Sequence, residues 1–147
     1  MDIKLLNNND LLTASLFLKA KNLSVVLKKE NEVFIGTERG VAPLLRYFED
    51  VNDYSGFCAA DKVVGKAAAY IYVLLGIKSV FAVTASLHAI KVFEKYGIEY
   101  VCENTVPAIK NRTGTGLCPM ESAVLDIDTP EEALRAIRNK LCELKGK

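Results

Sequence analysis

Residues 56–76 read GFCAADKVVGKAAAYIYVLLG, and the way this stretch divides decides the fold. Phe57 to Ala60 suit a brief extended run, Asp61 stands where a helix N-cap would, and Gly76 closes the far end where left-handed backbone is favoured. Between them Val63, Val64, Ala67, Ala68, Ile71, Leu74 and Leu75 make a helix apolar nearly all round, which belongs at the centre of a domain. Gly65 falls inside that helix at a cost of about 1 kcal/mol relative to alanine, so close approach by another element is expected there. Tyr70 and Tyr72 point to different sides of the helix and read as core.

Downstream, Ser79 to Thr84 is a strand, Ser86 caps a helix that runs to Tyr96 and ends at Gly97, and Ile98 to Cys102 is a second strand. A strand, helix, strand unit implies parallel pairing through a right-handed crossover. Upstream, Asn9 or Asp10 caps an opening helix with Leu11, Leu12, Leu16, Phe17 and Leu18, ending near Lys21 and Asn22. Leu23–Lys28 and Val33–Gly36 form a hairpin across Lys29, Glu30, Asn31 and Glu32. Thr37 starts a helix bearing Leu44, Leu45, Phe48 and Val51, with Pro43 tolerated in its opening turn. Near the end, Val106–Lys110 reads as one helical turn, Arg112–Pro119 as a glycine-rich loop and Met120–Leu125 as a short helix or turn. Asp128 or Thr129 then caps a terminal helix to about Leu144, with Pro130 first and Glu131 and Glu132 complementing the dipole. The order predicts an α/β fold, a mixed sheet with helices on both faces, in one domain over 1–147 with 1–22 a helical extension on a 23–147 core.

Nineteen Lys plus Arg against eighteen Asp plus Glu leave a net charge of +1, which attracts no polyanion, so nucleic acid is excluded as the main partner. The longest apolar run, Ala67–Leu75, falls short of the roughly 18 residues of a membrane span, so no membrane partner is expected. The opening MDIKLLNNND carries no apolar signal, which predicts a cytoplasmic protein with free thiols. Cys58, Cys102, Cys118 and Cys142 show no CxxC pairing and His88 sits in the apolar SLHAIKVF, so neither a metal nor a cofactor is expected.

Two groups of residues can carry chemistry. The first is Cys58, Asp61, Lys62 and Lys66 around the start of the central helix, where free N–H groups and the positive end of the dipole suit an anion. Lys62 and Lys66, a turn apart, then lie on one side; otherwise Asp61 is simply a cap and the lysines are solvated. The second is Asn111-Arg112-Thr113-Gly114-Thr115-Gly116-Leu117-Cys118-Pro119-Met120-Glu121-Ser122. Its glycines free the backbone to turn N–H groups inward, while the hydroxyls and the Arg112 fork can grip a carboxylate or phosphate. A tight surface connection is the simpler reading. It is neither a Walker loop nor a dinucleotide fingerprint. Cys118 precedes Pro119 at a helix start, a setting that favours a nucleophilic thiolate, and Glu121 is its candidate base or an ordinary first-turn acid.

The stretches Asp61–Ala69 and Asn111–Glu121, with Asp126-Ile127-Asp128 before the last helix, resemble the uncharacterised DUF1893 family over roughly residues 23–140. That resemblance implies a cytidine deaminase-like, three-layer α/β/α sandwich around a mixed sheet. It does not bring zinc chemistry with it. A zinc deaminase needs His or Cys, then Glu two residues on, and a PCxxC at the next helix. Here Ala60 stands two residues after Cys58, and Cys118-Pro119 inverts the dipeptide. The expectation is a metal-free domain binding a small anionic or nucleotide-related molecule. In it Lys62, Lys66 and Arg112 neutralise charge, Asn111, Thr113, Thr115 and the amides of Gly114 and Gly116 donate hydrogen bonds, Asp61 orients, and Cys118 serves any covalent step. The rival is a noncatalytic regulatory or interaction protein; homo-oligomerisation suits both.

Overall fold

The computed structural model describes residues 3–146. Helices α1 (Ile3–Leu6) and α2 (Asn9–Ala20) precede a hairpin of β1 (Val25–Lys29) and β2 (Glu32–Gly36) and then α3 (Ala42–Glu49). A β3 (Cys58–Val64), α4 (Lys66–Leu75), β4 (Ser79–Ser86), α5 (Leu87–Tyr96), β5 (Glu99–Val106) series follows, and α6 (Pro119–Val124) and α7 (Pro130–Lys145) end the chain. The sheet order is β2-β1-β3-β4-β5, with β1 antiparallel to both neighbours and β3, β4 and β5 parallel. This is the mixed sheet read from the sequence.

The largest departure lies in the quoted stretch itself. Asp61 does not cap a helix; the strand runs straight through it, pairing Asp61 with Val25 on one side and Ala82 on the other. Val63 and Val64 continue the parallel ladder opposite Thr84 and Ala85. Extended backbone here gains hydrogen bonds on the β4 side and suits β-branched valines, whereas a helix begun at Asp61 would withdraw those bonds. Gly65 is therefore the N-cap of α4, not an interior residue. Three further boundaries move. Asn8, not Asn9 or Asp10, caps α2, its side chain accepting from Leu11 N. The helix α3 begins at Ala42 instead of Thr37. Val106–Lys110 is no helical turn: β5 runs to Val106, and Lys110 bridges to Leu117 across the glycine-rich loop.

Helices cover both faces. On one, Leu5, Leu11, Ala14 and Leu18 of α1 and α2 pack on Val26, Cys58, Ala60, Phe81 and Val101. Leu16 and Phe17, expected on that apolar face, are 55% and 38% exposed. On the other face α4 packs against α3, α5, α6 and α7 with β3 beneath. Neighbours on every side explain its apolar circumference: Ala67 to Tyr72 are all buried, as is Leu75. The turns after α4 and α5 are closed by Gly76 and Gly97 at φ 77° and 73°. The result is a three-layer α/β/α arrangement. No helix among the described residues is long and apolar enough to cross a membrane.

The final helix is a working part of this core. Thr129 caps it, Pro130 opens it, and Ala133 and Ile137 are fully buried in the larger cluster. Ile137→Ala is expected to cost about 3 kcal/mol, seen as a fall of roughly 6–12 °C in Tm, whereas Leu144→Ala on the 44%-exposed side should change Tm little. Calorimetry of the two variants checks this; equal effects would mean that α7 is not packed as described.

Candidate functional site

The start of α4 meets a side chain from far along the sequence. A helix leaves its first N–H groups without intrahelical partners and carries a positive dipole end there. At Lys66 and Ala67 those groups donate to the two carboxylate oxygens of Glu121, at 2.7 and 3.1 Å. Glu121 is only 6% exposed, and it comes from α6, more than fifty residues downstream. The approach needs a glycine: a Cβ on Gly65 would collide with the Glu121 carboxyl group. The close approach expected at Gly65 is thus real, and its partner is an acid. Lys66 reinforces the junction, its ammonium donating to the Leu125 carbonyl at 2.8 Å and lying over the Tyr70 ring. The Tyr70 hydroxyl donates to the Ile127 carbonyl at 2.8 Å.

Four residues before Gly65, within β3, Asp61 is buried against Tyr72 of the same helix. The Tyr72 hydroxyl donates to its Oδ2 at 2.6 Å, and its Oδ1 accepts from Val63 N at 3.2 Å. Burial pushes the Asp61 carboxyl up to about 7, against the opposing pull of these two bonds, and burial beside Asp61 holds the Tyr72 hydroxyl well above its usual value. Asp61 therefore faces α4 and the interior, not a crevice at a helix start.

The remaining expected site residues divide among different tasks. Lys62 and Lys66 do not share a side: Lys62 reaches Asn22 in the α2–β1 turn at 2.6 Å, while Lys66 reaches the end of α6. In the loop, Thr113 Oγ1 and Thr115 N donate to Asn111 Oδ1, Asn111 Nδ2 donates to Thr115 Oγ1, and the two hydroxyls meet at 2.8 Å. Asn111 N also donates to the Gly116 carbonyl, and Gly114 N to the Asn111 carbonyl. Its polar groups thus close the loop on itself, with Arg112 exposed at its surface. Cys118 sits at the entry to α6, half-buried against the core, but the carboxylate nominated as its base is turned to α4. The two groups do meet through Glu121, since the parallel strands end where α4 begins and the loop from β5 leads into α6.

The four cysteines lie apart in the fold. Cys58 lies on β3 among Asn8 and Ser79, Cys102 on β5, Cys118 before α6 and Cys142 on α7. Among the described residues no three His, Cys, Asp or Glu gather closely enough to hold an ion. Asn8, unremarked in the run Asn7-Asn8-Asn9-Asp10, ties α2 to the sheet through Ser79 Oγ at 3.0 Å. The pairings Gly65–Glu121 and Asp61–Tyr72 escaped the sequence because each joins residues that no local pattern links.

Residues 13–141 match the model of a domain of unknown function, DUF1893. The chain belongs to the DUF1893 family. A crystal structure of a DUF1893 family protein (TM1506) from Thermotoga maritima is similar at a TM-score of 0.83 and 28% identity, covering 90% of this chain and 91% of that one. Crystal structures of a dCMP deaminase from the cyanophage S-TIM5 are also similar, at TM-scores of 0.43 (apo; 14% identity, 72% of this chain, 100% of that) and 0.44 (with dCMP and dUMP; 12%, 69% and 98%). No curated protein matches the sequence. The layers and mixed sheet of this DUF1893 protein agree with the architecture that the resemblance implies.

Two predictions follow from the junction and the buried acid. Gly65→Ala, whose backbone stays allowed at φ −101° but whose methyl meets Glu121, and Glu121→Gln, which sets an NH2 group against a helix amide, should each lose about 1–3 kcal/mol in urea unfolding. A neutral result for either would remove the cap from the account. For Asp61, the folded state keeps a proton that the unfolded chain, at 3.8, has released. Stability from this group is full below about pH 4, declines as pH rises to about 7 and is flat above, a change of at most roughly 4 kcal/mol. Urea midpoints across pH should show this slope in the natural protein and lose it in Asp61→Asn; parallel profiles would contradict it.

Proposed function

We propose that this DUF1893 protein is a noncatalytic regulatory or interaction domain that acts through a protein surface and turns over no anionic substrate. One observation carries the reading: the helix start where an anionic ligand would bind holds the Glu121 carboxylate instead. A phosphate approaching Lys66 N and Ala67 N meets that acid, and like charges at such distances repel strongly in a buried setting. Other groups meant to grip a ligand support it too, since Lys62, Lys66, Asn111, Thr113 and Thr115 each already make a hydrogen bond within the chain, while Arg112 is exposed.

Thermal unfolding with a panel of inorganic phosphate and nucleoside mono-, di- and triphosphates, each at about 1 mM, tests this. A ligand present at a hundred times its Kd adds about 2.7 kcal/mol, roughly 5–10 °C for a domain of this size. The expected shift is under about 1 °C for every compound. A shift of several degrees that disappears in Arg112→Ala would overturn the reading in favour of an anion-binding domain.

A further inference from the structure

We draw no further inference here: the strongest candidate, the buried Asp61–Tyr72 pair between β3 and α4, belongs to the site already described, and its titration alone names neither a ligand nor an element that moves.

Discussion

The contact between the Glu121 carboxylate and the amides of Lys66 and Ala67 holds together two halves of the molecule that the sheet alone does not join. β3, β4 and β5 with α4 and α5 form a self-consistent parallel unit, but α6 and α7 follow a long irregular stretch and form no strand. Their position is set by what they grip. Glu121 neutralises the positive start of α4, Lys66 and Tyr70 return bonds to the Leu125 and Ile127 carbonyls, and Ile137 then lies buried against the same cluster. An acid at a helix start is worth most when it is partly buried and aligned with the dipole, as here. Gly65 makes room for it.

The same contact explains the chemistry that this end of the sheet presents. Ligands of α/β proteins commonly lie beyond the carboxyl ends of the parallel strands, where helix starts offer unpaired amides. In this chain the corresponding space at α4 belongs to an internal carboxylate. The other helix that starts there, α5, has its Ala89 amide satisfied by the buried Ser86 hydroxyl. Exposed apolar side chains lie instead on α2, at Leu16 and Phe17.

Much of the fold was legible in the sequence because it rests on local signals. The hairpin, the Ser86 and Thr129 caps, Gly76 and Gly97 at their left-handed positions, and Pro130 at the head of α7 all act within a turn of themselves. What was not legible depends on distant partners. Asp61 followed by a run of small and apolar residues has the form of a helix cap, and only the ladders with Val25 and Ala82 make it a strand residue. Once the strand extends to Val64, Lys62 and Lys66 no longer share a helix and their ammonium groups part. Glu121 was identified as chemically notable for its place beside Cys118, but its true neighbour is a glycine on another element.

The central claim is that Glu121 satisfies the first amides of α4. Hydrogen exchange of the Lys66 and Ala67 amides, followed residue by residue by NMR, tests it most directly. Protection close to that of the Ile71 amide, deep in the same helix, is the result the account predicts. Exchange as fast as that of an uncapped helix terminus would contradict it.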